Sequence, residues 1–326
     1  MSWIPSAISF ISITTSTFGV ASNSLLIYLI LTKTPQQLSS YSVLILNWSI
    51  GYLFVCIAAL FERQRIMISG ASSFFIFSGP CTFLGSKACF VGSIFLLHCL
   101  VHGFWSMLYS FAYRYYILGH SQPKKGILIL ISVILYLPSL AYFILYCSKN
   151  SDETKLKAEI KIQLGIDASA ECVSGYLNEF ELHYALIYIT IIPFVIYIAI
   201  LILRKLTIRK LKSYETAMSE GTRQLHTQML KMLTIQACLP TTVVVAVIGS
   251  TLGRLNIAHN LLLENSLNIL IVPAQAANSL VSLYFVKPYR IWICNFFVRL
   301  TKSLPMQRVE VMTVAPTSGI ITAVHT

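Results

Sequence analysis

Three kinds of side chain in this sequence could do chemistry: cysteines, a histidine pair, and one arginine at the edge of an apolar run. Cys81, Cys89, Cys147 and Cys172 fall at or between the ends of long apolar stretches, whereas Cys56, Cys99 and Cys238 fall within them. The first group can form disulfides in an oxidising compartment. The second behaves as small buried hydrophobes. His98, His102, Trp105 and Tyr109 recur at i, i+4, i+7 and i+11, so they share one helix face. Two imidazoles without a nearby Cys, Asp or Glu make a poor metal site, and no metal is expected. Two readings remain for the stripe: a polar seam that hydrogen-bonds to neighbouring helices, or a surface facing a ligand. Arg114, in YSFAYRYYIL, is the first charge after the uncharged run 88–113, and arginine cannot be neutralised in a protein.

Enzyme chemistry finds no foothold. No HExxH or GxSxG occurs, His183 stands alone, and no carboxylate pair lies inside an apolar run. The protein is expected to be no enzyme and to need no cofactor. Glu62 and Glu264 lie only at the ends of such runs. Ionisable groups at depth mark ion or proton pathways; without them, proton-coupled transport and a buried counter-ion for an ammonium ligand are both disfavoured. An ion channel would need a filter or a ring of charge, and neither is found.

Composition dictates what positions these residues. Hydrophobic residues make up 56%, charged residues 11%, and the mean hydropathy is +0.72. A soluble domain carries about 25% charged residues, so most of this surface needs lipid. Charge-free runs fall at 8–31, 41–61, 88–113, 126–146, 184–203, 232–252 and 266–286. About 20 residues at ~1.5 Å each cross a hydrocarbon core, and open sheet edges cannot face lipid. The expectation is an all-α membrane protein: a seven-transmembrane helix bundle over 1–290, then an interfacial helix and a disordered cytoplasmic tail over 291–326. Residues 66–86 are also charge-free, but ten of the twenty-one are Gly, Ser, Thr or Pro. That is the punctuation of a loop skimming the membrane.

Lys and Arg set the sidedness. With the N-terminus outside, sixteen lie inside and eight outside. The net charge of +12 then faces anionic inner-leaflet lipid, and no basic soluble domain exists to bind nucleic acid. A cleaved signal peptide is not expected, because no basic n-region or small-residue cleavage site is present. DETKLKAEIKIQL in the largest outer loop reads as a short surface helix, and the basic stretch 204–231 as an inner extension of the fifth and sixth helices. Near the end, Trp292, Ile293, Phe296, Phe297 and Leu300 form a stripe opposite Arg290, Asn295, Arg299 and Lys302. Such a helix lies on the inner leaflet. Pro240 predicts a kink in the sixth helix that can act as a hinge, with Gln236 beside it to serve the freed carbonyl. Pro138 and Pro193 predict plain kinks. Asn268 and Gln275, seven apart, share a face of the seventh helix.

Cys89 stands 25 residues before Arg114, about 37 Å along a helix, or one membrane thickness. A Cys atop the third helix, a Cys in the second outer loop and an Arg at the third helix's inner end resemble the seven-helix G-protein-coupled receptors. SFAYRYYIL, HTQMLKMLTIQACLP (226–240), GPCTFLGSKAC (79–89) and LVSLYFVKPYR (280–290) look like the nematode serpentine chemoreceptors, most of all the class delta group, Srd. The resemblance covers roughly residues 20–300.

It implies a disulfide from Cys89 to Cys172, with Cys81 to Cys172 as the competing pair. It implies a heterotrimeric G protein meeting Arg114 when the sixth helix swings at Pro240, with Tyr284 part of the switch. It also implies a small, neutral ligand within the bundle, for which His98, His102, Trp105, Asn268 and Gln275 are the candidates. Lipid is the surroundings, in the plasma membrane or a sensory cilium, and the physiology is chemosensation such as olfaction. Some of the wider receptor pattern is missing. Tyr113 replaces the acid before the Arg, the second span holds no acid for a sodium site, and Asn278-Ser279 replaces Asn-Pro, leaving Pro273 to supply the bend. Arg114 is therefore expected to reach water at the rim and to rest on Tyr113, Tyr115 or Tyr116 by cation–π contact. Two other readings are a PQ-loop transporter, prompted by Pro35-Gln36 but lacking a second Pro-Gln in 204–231, and a seven-helix protein that does not signal.

Overall fold

The computed structural model describes residues 3–69, 72–177, 179–213, 220–238, 241–242, 245–246, 265 and 267–303. The chain runs through α1 (Trp3–Lys33), a 3-10 turn (Gln36–Leu38), α2 (Ser39–Glu62), strands β1 (Gln64–Ser69) and β2 (Ser72–Phe77), and a second 3-10 turn (Pro80–Leu84). It continues through α3 (Ser86–Ile117), α4 (Lys125–Tyr146), α5 (Glu153–Leu164), β3 (Cys172–Tyr176), α6 (Glu179–Ser213) and α7 (Glu220–Cys238). A π turn (Leu267–Ile271) leads into α8 (Val272–Phe285), and α9 spans Lys287–Ser303. The chain divides into two compact units, Met1–Arg290 and Ile291–Thr326.

Five described helices, α1, α2, α3, α4 and α6, contain stretches long and apolar enough to cross a membrane. They match the first five expected spans. The seventh corresponds to the π turn plus α8. Pro273 sits in the first turn of α8, where its missing N–H and its ring disturb the ladder just as the widened turn gives way to α-helix. The sixth span, 232–252, lies mostly outside the described residues, as does Pro240. α4 and α6 run through Pro138 and Pro193 without ending.

α3 is the central helix, packed against α2, α4 and α6. Close approach depends on small residues, as in membrane bundles generally. A Cβ on Gly103 would lie 2.6 Å from the Tyr52 ring of α2. Across the bundle, Ser279 of α8 donates to Ser22 of α1 at 2.8 Å.

Residues 66–86, read from sequence as a loop, instead contribute a β-hairpin. β1 and β2 pair antiparallel, and β3 from the next outer loop joins β2, with Phe77 opposite Cys172. Phe and Ile favour a strand in SSFFIF, and the charge-free composition that mimics a span suits a strand covered on both faces, Phe74 against α5 and Phe75 against the aromatic cluster of the bundle. Gly175 is required here: its φ is +152°, and a Cβ would meet the Ser73 carbonyl oxygen at 2.0 Å. The free edge of β3 is closed by the preceding loop, through Gly175 N–H to Asn150 Oδ1 at 3.0 Å and Leu177 N–H to Ser151 Oγ at 3.1 Å. α5 is the surface helix expected from DETKLKAEIKIQL. Asp152 caps it by accepting from the amides of Thr154 and Lys155, Gly165 ends it at φ +67°, and Leu156 and Ile160 bury against the sheet with Met67, Phe74 and Val173.

In the second unit, the described part is the helical run to Ser303, where Trp292 stacks on Phe296 at 5.4 Å. The i, i+4 spacing places these two rings on one stripe.

Candidate functional site

Arg114 is not at the water's edge. It is 3% exposed, with its guanidinium carbon 4.3 Å from the centroid of the Tyr41 ring on α2. Tyr41 in turn stacks on Tyr113 at 6.3 Å. The expected partners are engaged elsewhere or are secondary. Tyr115 carries Lys210 of α6 at 4.6 Å, and Tyr116 stacks on His120 at 4.5 Å. The reason is helical geometry: residues one or two apart do not share a face, so an arginine cannot lay its fork on its own chain neighbours. A ring from an adjacent helix can be reached. Arg114 Nε and Nη2 have no hydrogen-bond partner, and no carboxylate is among the charges acting on it among the described residues.

A side chain of α7 also feels the charge of Arg114. His226 of α7 is half-buried and close enough to feel its charge. Burial first, and the Arg114 cation second, push the His226 imidazole down from its ordinary value to about 4. Farther along α7, Gln236 is fully buried, and its amide donates 2.9 Å to Ser282 Oγ and 3.3 Å to the Asn278 carbonyl of α8. Sequence reasoning paired Gln236 with Pro240, but its described partners lie on the facing helix. Tyr284 is exposed, with the Arg290 guanidinium 5.5 Å from its ring centroid.

The histidine stripe faces α2 and α4. His98 and His102 both meet the Tyr136 ring edge to face, at 4.7 and 5.0 Å between centroids. Asn47 of α2 donates 2.8 Å to Ser106 Oγ, and both Asn47 Oδ1 and Ser106 Oγ lie 3.2 Å from His102 Nε2. This polar seam is what glues helices in a membrane. Trp105 packs half-buried on the aromatic cluster of Phe90, Tyr142, Tyr146, Tyr176 and Tyr188. Gln275 is buried in α8; the Asn268 side chain lies outside the described residues. The structure therefore brings His98 and His102 together in one seam, but not with Gln275 in one described cavity.

At the outer end, taken as the end bearing the N-terminus, the sulfur chemistry differs from the expected pairing. The disulfide joins Cys81 to Cys89, not Cys89 to Cys172. The 3-10 turn Pro80–Leu84 folds Cys81 back over the first turn of α3, bringing the two Cα atoms to 5.0 Å. Cys172 is close all the same, its Sγ 3.9 Å from that of Cys89. Beneath the hairpin, Glu62 is fully buried and accepts from Ser93 Oγ at 2.5 Å.

Sequence reasoning missed Tyr41, His226 and Asn47. A depth argument could have found Tyr41: it starts the second apolar run at the inner side, level with the end of the third. Asn47 belongs to a glycosylation-like triplet inside a span, and its hydrogen bond to Ser106 of α3 accounts for it.

The described helices gather around a central α3, with Arg114 at its inner end. The fold matches the crystal structure of squid rhodopsin with a TM-score of 0.57, covering 90% of this chain and 85% of that one at 12% identity. The family model for the serpentine type 7TM GPCR chemoreceptor Srd matches residues 8–295, and the chain belongs to this family. It is 36% identical over 294 residues to serpentine receptor class delta-3 of Caenorhabditis elegans, covering 86% of this chain and 84% of that protein. It is 35% identical to class delta-18 of the same organism, covering 83% of each. The protein is thus a multi-pass membrane protein of a chemoreceptor family. The transporter reading of Pro35-Gln36 gives way to this membership; Pro35 accepts the Leu38 amide at 3.0 Å in the turn that opens α2.

Proposed function

We propose that this protein is a chemosensory receptor of the plasma membrane, including that of sensory cilia, that binds a small neutral molecule within the bundle and signals through a heterotrimeric G protein. The observation that carries the reading is Arg114: a buried guanidinium resting on an aromatic face, with Nε and Nη2 unpartnered. A buried cation without a carboxylate is costly, so this arrangement persists only while the helices around it stay closed. Outward movement of α7, held to α8 through Gln236, releases the fork to bond backbone carbonyls on a cytoplasmic partner. The absence of acids within the apolar runs favours a ligand without a positive charge.

The test pairs surface abundance, read from an outer N-terminal tag, with second-messenger signal evoked by panels of neutral volatile and water-soluble compounds. At equal abundance, Arg114→Ala is expected to reduce the evoked signal by at least about tenfold, the scale of losing a buried charged donor. Arg114→Lys recovers part of it, because an ammonium lacks the planar fork. Normal signalling by Arg114→Ala at equal abundance would leave Arg114 as a topological anchor and sink the reading.

A further inference from the structure

Three sulfurs meet at the outer end of α3. Cys81 and Cys89 are bonded and fully buried in a small cluster with Phe77, against which Phe61, Phe75 and Cys172 pack. Cys172 is a free thiol, partly exposed, 3.9 Å from Cys89 Sγ. It lines a cleft of about 610 Å³ that opens outward between the β2–α3 connection and α5, with Glu153, Glu171, Thr82 and Ser86 on its walls. A free thiol in van der Waals contact with a disulfide, on the side of the membrane where disulfides persist, is a reactant beside its substrate.

We propose that Cys81, Cys89 and Cys172 form a thiol–disulfide exchange site on the outer face, with Cys172 as the attacking thiol. The Cys172 thiolate attacks Cys89 Sγ. The Cys89–Cys172 bond forms, the Cys81–Cys89 bond breaks, and the electron pair leaves on Cys81 Sγ. The proton given up by Cys172 to the cleft is balanced by one taken up by Cys81. No oxidant or reductant is consumed, since one disulfide and one thiol are present before and after.

The two isomers tie different things together. The Cys81–Cys89 bond closes a sequence separation of 8 within one connection. The Cys89–Cys172 bond closes a separation of 83 and fastens β3, and with it the sheet, to α3. The longer closure removes more freedom from the unfolded chain, and it replaces a non-covalent hold on the outer sheet with a covalent one. The site therefore sets whether the cover over the bundle is tethered. The groups facing Cys172 are the Glu153 carboxylate and the Lys157 ammonium of α5, besides the two bonded cysteines. Burial, then Glu153, push its thiol above the ordinary range, with Lys157 opposing. Exchange is therefore slow at neutral pH and accelerates as the medium becomes alkaline.

Lys87 lies between Cys81 and Cys89, so trypsin yields different linked peptides for the two isomers. The full-length receptor, purified under oxidising conditions in lipid nanodiscs, is incubated at pH 6.5, 7.5 and 8.5, quenched in acid at increasing times, alkylated and mapped by mass spectrometry without reduction. The expected result is loss of free Cys172 matched by gain of free Cys81, with both linkages present at the plateau. The approach rate should rise about tenfold per pH unit, following the thiolate fraction. Cys172→Ser should leave Cys81–Cys89 unchanged throughout. The proposal fails if one linkage alone is present at every time and pH, if free Cys81 still emerges in Cys172→Ser, or if Cys147 replaces Cys172 in the mapped pairs.

Discussion

The two ends of the bundle are held by different physics. At the outer end, a ladder of backbone hydrogen bonds, a disulfide and a capped helix cover the bundle, and the edge of β3 is sealed by Asn150 and Ser151. At the inner end, the central contact is one guanidinium on one tyrosine ring, with two of its nitrogens unpartnered. Directional ladders and covalent bonds resist local opening, whereas a cation–π contact is worth about 2 kcal/mol even when desolvated. On the reading proposed above, the inner end is the one that moves for signalling, while the backbone pairing of the outer sheet stays in place whichever cysteine Cys89 holds.

The largest effect should come from breaking the outer end. Gly175→Val places a Cβ on the Ser73 carbonyl oxygen, 2.0 Å away, and forces a branched residue to φ +152°. The backbone conformation alone costs about 1–3 kcal/mol, before the lost pairing. The purified variant should melt well below the wild type and reach the surface poorly; an unchanged melting temperature would show that the sheet contributes little.

Next comes Tyr41. Tyr41→Ala, compared at equal surface abundance, should raise ligand-independent signal by up to about 30-fold, the equivalent of a ~2 kcal/mol contact. Tyr41→Phe, which keeps the ring, should stay near wild type. If Phe and Ala behave alike, the ring face is not what holds Arg114.

A smaller effect follows from His226. Its folded value, about 4, lies below the ordinary imidazole value of 6.5, so the neutral form is the one the resting packing favours. That contribution is complete above the ordinary value and is lost as pH falls from there toward the folded one. Acidifying the inner solution from pH 7.5 to 5.5 should raise basal signal, by only a few-fold because water reaches the half-buried ring and screens it. The rise should vanish in His226→Gln; persistence there would assign the pH effect to another group.

The smallest effect is reserved for the surface helix. Asp152, whose carboxyl is held below its usual range by the Thr154 hydroxyl and the amides of Lys155 and Thr154, caps α5. Asp152→Ala should speed amide exchange in the first turn of α5 and leave ligand-evoked signal unchanged. A signalling defect here would mean that the outer cover is coupled to the inner end after all.

Part of this molecule is written in its sequence, for local reasons. Runs of about twenty apolar residues identify helices because no other backbone arrangement satisfies its own hydrogen bonds in lipid. Asp152 and Gly165 mark the ends of α5 because caps act within a turn. The location of Arg114 at the inner end of α3 follows from counting residues from Cys89. Contacts between distant segments were decided only in three dimensions. The partner of Arg114 is Tyr41, 73 positions earlier, because the rotation of α2 against α3 brings that ring over the guanidinium while the arginine's own neighbours point elsewhere. Residues 66–86 have the composition of a span or a loop and become a hairpin because β3, nearly a hundred residues on, supplies a third strand. By depth Cys172 has two candidate partners, Cys89 and Cys81, but the 3-10 turn at Pro80 brings those two to each other while β3 holds Cys172 a further contact away. Depth in the membrane can be counted along a helix; which faces turn toward one another is settled by packing among all the helices at once.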